Sequence, residues 1–297
     1  MYLPAQFVNA YVDLFTWILD GSDWSFTGTP ILHYLQSGKK PQSPNAQLAH
    51  QRFMSRLAQV DPKFTTAKTF NYNDYDYINL SIRRCFIGKA CPWEIQETLQ
   101  LASELGLTNP DTVYKYCSDN LGVDCGGFVA AYWGEGVPHM ADTQPVGSLG
   151  FLPRTFWSDS HLWPDVRARR RKSAGEISPG DAAIFFKDIK GDDPDIAKQR
   201  DSSGTLIEGT GSEAFHIGLV NSVSGGGDKI TQLEIAESSG AASKFGSDGV
   251  NVRFASVQSS GIAKGLVYAQ TGANERIYFL GPPAGWGPEL PYTYGEE

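Results

Sequence analysis

The chain has 297 residues, 41% of them apolar and 12% aromatic, enough to bury a sizeable core and too much for general disorder. Its 25 Lys and Arg against 33 Asp and Glu leave a net charge of −8, which argues against a protein that tracks nucleic-acid phosphates or docks on anionic membranes. Four cysteines (Cys85, Cys91, Cys117, Cys125) are too few for a disulfide scaffold, and their spacing does not match the short pairs of zinc sites.

The N-terminal stretch MYLPAQFVNAYVDLFTWILDG has no basic leader and no small-residue cleavage site, and Asp13 interrupts it. It reads neither as a secretory signal nor as a membrane span. Phe7, Val8, Tyr11, Val12, Phe15, Ile18 and Leu19 follow a helical spacing that predicts one helix closed by Gly21. A polar connector from Ser37 to Pro44 precedes a second helix carrying Leu48, Phe53, Met54, Leu57 and Val60. Residues 1–70 are read as a helical extension for packing or targeting, with His33 and His50 as surface or packing residues, and 71–297 as the main domain.

From Pro92 the stripe Ile95, Leu99, Ala102 and Leu105 predicts a helix stopped by Gly106; Asn109-Pro110 restarts one through Tyr114 and Tyr116. Asp124 then caps a helix that continues through Phe128 to Trp133 and ends at Gly134. Strands follow, starting at Asp181, Ala214, Lys229, Gly249, Lys264 and Glu275, with Ser224 to Asp228 as a hairpin loop. Helices first and strands afterwards predict an α+β fold with an antiparallel sheet. The polar stretches Glu135 to Pro179 and Asp188 to Gly211 are expected to be surface insertions. Within them the basic run Arg167 to Lys172 is read as a solvated charge cluster, and Asp192, Asp193 and Asp195 as an exposed acidic loop without calcium-site spacing. No phosphate loop and no nicotinamide or flavin fingerprint is present, so no cofactor and no metal are expected.

Cys125 opens a helix behind a capping aspartate, where unpaired amides and the helix dipole favour the thiolate, and Gly126 and Gly127 are read as leaving room for a substrate. A thiolate nucleophile needs a base. His216 lies inside the apolar strand Phe215 to Val220, whereas His139 and His161 fall in the long insertion and are weaker bases. A turn centred on Gly226 pairs His216 with Ala236 and puts Glu234 on its face; a register one residue further on pairs it with Glu237. Periodicity leaves the two glutamates level.

The segments GVDCGGFVAAYW, SPGDAAIFF, FHIGLV and IAESSG occur in an order and context that resembles the NlpC-type cell-wall cysteine peptidases, over roughly residues 110–255. The resemblance implies a compact papain-like core, with Cys125 as nucleophile, His216 as general base and Glu237 as the orienting residue. It also implies a tyrosine upstream of the nucleophile as an oxyanion donor, a place that Tyr114 fits with Tyr116 as its rival, beside the Cys125 amide and the neighbouring Asp124 and Gly126. The sequence departs from the family's pattern at Gly126, where serine is usual, and at Glu237, where His, Asn or Gln is more common. A Cys117–Cys125 disulfide would silence such a site.

The activity implied is cysteine-dependent hydrolysis of an amide in peptidoglycan stem peptides, as an endopeptidase or amidase. Without a conventional leader, the enzyme is expected to be made in the cytoplasm and to reach the periplasm or cell exterior through a specialised secretion machine, as an antibacterial effector, or on lysis. The partners expected are the peptidoglycan peptide and an inhibitor or immunity protein, with no nucleic acid and no membrane span. Two alternatives stand beside this: a deamidase or acyltransferase acting on a host protein or lipid, and a catalytically silent binding module of the same fold.

Overall fold

The computed structural model describes residues 3–35, 44–61, 81–134, 152–159, 163, 165–187, 193–199, 201–203, 205, 207, 211–240 and 249–284. Helix α1 (Pro4–Val12) begins with proline in its first turn, where no amide is needed, and buries Phe7, Val8 and Tyr11. It stops at Val12, and the apolar run expected to prolong it is instead the strand β1 (Phe15–Asp20), paired antiparallel with β2 (Asp23–Gly28). Phe15, Ile18 and Leu19 fit a helical spacing, but Thr16 and Ile18 are buried while Phe15 and Trp17 are exposed, which is the period of two of a strand. β-branched and aromatic residues favour that choice, and Gly21 supplies the left-handed backbone (φ 64°) that turns the hairpin.

Helix α2 (Pro44–Val60) buries Phe53 and Leu57. Residues 81–86 form a helical stretch that the sequence pattern does not suggest. α3 (Pro92–Glu104) follows the expected stripe, and Gly106 ends it at φ 67°. α4 (Val113–Asn120) leads into α5 (Cys125–Gly134), every residue of which is buried from Cys125 to Trp133. A helix apolar all round belongs in the middle of a core, and α5 occupies that place.

Two short helices follow, α6 (Pro153–Phe156) and α7 (Val166–Arg169). Phe156, Trp157, Trp163 and Val166 are all buried in the core around α5. The stretch expected to be a surface insertion therefore supplies some of the bulkiest core side chains. The basic run is likewise not a solvated cluster: Arg171 forks onto buried Asp181 at 2.8 and 2.6 Å, and Arg169 donates to the Gly281 carbonyl at 2.6 Å. Arg170 lies over Trp157 and pairs with Asp195, which stays exposed as the sequence suggested. Of that run, Arg167 and Lys172 are exposed as the sequence suggested. Asp192, His139 and His161 lie outside the described residues.

The strands are β3 (Ala182–Lys187), β4 (Glu213–Gly226), β5 (Lys229–Ser239), β6 (Gly249–Ala255), β7 (Ser259–Ala263), β8 (Leu266–Gly272) and β9 (Glu275–Leu280). Among the described residues they form one antiparallel sheet in the order β6-β5-β4-β3-β9-β8-β7, so the chain is α+β. β7, whose SSGIA sequence has little apolar alternation, is the strand of this sheet that the sequence does not announce. Ser260 of β7 accepts from the Ile230 amide of β5 at 2.8 Å, so the sheet curls until β7 meets β5. Ile184, Ile217, Leu219 and Ala236 face the core of α5, and the alternate residues Phe185, Val220, Ile235 and Phe279 fill a second core enclosed by the curl.

The first helix belongs to the same core. Phe7 and Tyr11 pack on Phe128 of α5, with ring centroids 5.4 and 5.9 Å apart, and the Tyr11 hydroxyl donates to the Ala90 carbonyl. Among the described residues no helix is long and apolar enough to cross a membrane.

Candidate active site

Asp124 caps α5 by accepting the Gly127 amide at 2.7 Å, and the Gly126 amide also bonds to it. Among the described residues, the amide of Cys125 has no acceptor in that first turn. Burial raises the pKa of Asp124, and the buried ammonium of Lys89, paired with its carboxylate, acts in the opposite direction. Gly127 does not open space for a substrate as the sequence suggested. A Cβ there would stand 2.2 Å from the Gly88 carbonyl, so the glycine lets residues 88–89 pass against the helix and brings Lys89 to Asp124.

A second segment braces the same turn. Residues around Tyr34 run parallel to Val123, with the Val123 amide donating to His33 and the Val123 carbonyl accepting from Ser238 at 2.6 Å. This places the Tyr34 hydroxyl 3.9 Å from Cys125 Sγ as a donor. The Tyr34 ring lies on Gly240, where a Cβ would come within 2.9 Å of it. Burial foremost, and then the neighbouring Cys125, hold the Tyr34 hydroxyl far above its ordinary pKa, so it stays a neutral donor.

The imidazole comes from the sheet. The β4–β5 turn is Gly227-Asp228, later than in either register the sequence left open, and Leu219 pairs with Ala236. Continuing that register sets Gly218 opposite Glu237 and leaves His216 diagonal to Glu237 on one face. Gly218 is what permits the contact, since a Cβ there would lie 2.6 Å from Ile235 Cγ2 and 3.1 Å from Glu237 Cβ. His216 Nε2 and Glu237 Oε2 are 2.8 Å apart. His216 also hydrogen-bonds Cys125, and with Nε2 engaged, Nδ1 is the nitrogen left for the thiol. Glu234 goes elsewhere, to Asn221 and Ser222.

Burial works against a charged His216, but the bonds and charges of Cys125 and Glu237 outweigh it and lift its pKa to about 9. Burial likewise works against the Glu237 anion, yet His216 and Arg253 hold it below the ordinary carboxylate range. Arg253 of β6 donates to both Glu237 oxygens, at 2.5 and 3.0 Å.

The structure thus brings together Cys125, His216 and Glu237, with Asp124 and Gly126 in the buried first turn of α5. Tyr114 is not among them: it is 57% exposed, because Val113 and Cys117 form the buried side of α4 and the next residue is turned away from it. Tyr116, its rival, has a buried hydroxyl without a hydrogen-bond partner among the described residues. The tyrosine hydroxyl beside Cys125 Sγ is that of Tyr34, which no local pattern marks, since it lies 91 residues from Cys125. Arg253 is not singled out by the sequence either; its signal is the alternation of GVNVRF once that strand is set beside β5.

All four cysteines are free thiols, Cys117 included. His50 packs on Phe86, and burial, aided by Arg83, lowers its pKa to about 4. Among the described residues no three His, Cys, Asp or Glu side chains gather in a way that could hold a metal ion. Comparison with protein-family profiles, with curated proteins and with solved structures found no match to this chain.

Proposed function

We propose that the chain is a cysteine-dependent amide hydrolase, built like the papain-like NlpC-type peptidases its motifs resemble and directed at the peptide stems of peptidoglycan. The observation that carries this reading is the Cys125–His216–Glu237 relay with the Tyr34 hydroxyl set on the sulfur. Cys125 Sγ attacks the carbonyl carbon, its proton having passed to His216. The oxyanion that develops is met by two donors, the Cys125 amide and the Tyr34 hydroxyl. Collapse of the tetrahedral intermediate breaks the C–N bond, and His216 gives its proton to the leaving amine. Water, deprotonated by His216, then attacks the thioester; the acid product leaves, and the thiol is restored.

The substrate class rests on the resemblance, and the nucleophile on the geometry. Incubating the protein and its Cys125→Ala variant with purified sacculi, and reading soluble fragments by mass spectrometry, tests both. New peptide-bearing fragments from the unaltered protein alone are expected. Equal fragments from both proteins would remove Cys125 as nucleophile. Hydrolysis or transfer on glutamine or acyl substrates, with none on sacculi, would replace the substrate class and keep the chemistry.

A further inference from the structure

Resting on the thiol-hydrolase reading, we infer that Arg253 is a positioning residue of this site, gripping both oxygens of Glu237 so that the carboxylate stays ionised and aimed at His216. Its Nε donates to Glu237 Oε1 and its Nη2 to Oε2, the same oxygen that meets His216 Nε2. The guanidinium lies over the Phe185 ring, 5.6 Å from its centroid, and that ring also contacts His216 at 5.1 Å. Arginine and imidazole therefore share an apolar floor and converge on one carboxylate. Such a fork fixes both the plane and the rotation of Glu237, which a single point charge would not do.

The need for a cation follows from burial. Glu237 is fully enclosed, and a carboxylate in that position without a permanent partner takes up a proton. A protonated Glu237 would offer His216 no charge, and the imidazolium would lose one of its two supports. An amide in this place, one of the choices of the family the motifs resemble beside histidine, is neutral and needs no such cation. The groups facing Glu237 are His216 from β4, Arg253 and the opposed Asn251 from β6, and Tyr34, with Cys125 beyond the imidazole. Of these Arg253 alone keeps a positive charge across the working pH range.

Glu237 is held below its ordinary pKa, so its support for His216 is present above that range and is lost as pH falls through its folded value. Removing Arg253 raises that value. The acid limb of Cys125 reactivity then moves towards neutral pH.

Alkylation of Cys125 by iodoacetamide, followed on its peptide by mass spectrometry across pH, reads this without a known substrate. Burial pushes Cys85 and Cys117 up to about 12, so they stay as unreactive thiols over the range. Arg253→Met is expected to move the acid limb up by at least about one pH unit, and Arg253→Lys to recover part of that shift. In a Glu237→Gln background, Arg253→Met should leave the limb where it is. Thermal melts check folding; should Arg253→Met fail to fold, Arg253→Gln carries the same expectation, losing the charge and keeping a donor. An acid limb unmoved in the Arg253 variants, or moved equally in the Glu237→Gln background, overturns the inference alone. A wild-type Cys125 no more reactive than in the denatured chain overturns the thiol-hydrolase reading, and the inference with it.

Discussion

A hydroxyl set on a thiol serves an oxyanion only if it remains a donor, and burial keeps Tyr34 protonated well past the range in which proteins work. Replacing Tyr34 by Phe keeps the ring on Gly240 and removes the donor alone. A loss of roughly 10² to 10³ in kcat is expected, with KM little changed, since losing one oxyanion donor costs that much in other enzymes. A fall in kcat/KM through KM alone would instead make Tyr34 a substrate contact. His216 sets a second expectation. Its proton is held until about 9, so kcat/KM should decline as pH rises through about 9, where the imidazolium can no longer supply the leaving amine. By linkage the pair's contribution to stability, present in full below 6.5, drains away between 6.5 and about 9. A pH profile whose alkaline limb sits near 6.5 would mean that Cys125 and Glu237 do not hold the proton as the geometry implies.

Elements differ in how far sequence patterning reaches them. The capped helix from Cys125 and the strand holding His216 are legible because each is a local pattern, a cap with an apolar run in one case and an apolar strand in the other. Register is not legible, since it depends on where a glycine-rich loop turns. The turn lies at Gly227-Asp228, with bulges between Val220 and Ser222 and between Ser224 and Gly225. The choice between Glu234 and Glu237 falls to the motif resemblance, and the reason for it, the bare Gly218 opposite Glu237, shows only once the strands are side by side. Period misleads once, at β1, where helical spacing and strand alternation both fit the same apolar residues and side-chain preference decides. Tyr34 and Arg253 escape the sequence because their partners are distant along the chain or across a strand pair whose register no local signal sets.

At the scale of the whole molecule, the question is whether residues 1–70 are an attachment or part of what holds the site. Tyr34 donates to Cys125 from that segment, and α1 lies directly on the helix that Cys125 begins. Phe7 is buried between Tyr11, Phe128 and Tyr132, with ring centroids 5.4 to 5.5 Å away. Phe7→Ala would delete an aromatic side chain from that shared core, at a cost of about 3–5 kcal/mol. If the N-terminal segment and α5 form one cooperative unit, that loss lowers the single unfolding midpoint, and iodoacetamide reactivity of native Cys125 disappears in step with the near-ultraviolet circular dichroism. An independent extension would behave otherwise: the variant would lose α1 in an early transition while Cys125 kept its native reactivity up to a second one. Urea unfolding of both proteins, followed by both probes, separates the two. Coincident curves with an earlier midpoint are expected, because the segment supplies the tyrosine on the sulfur and the ring behind the helix in one continuous stretch of packing.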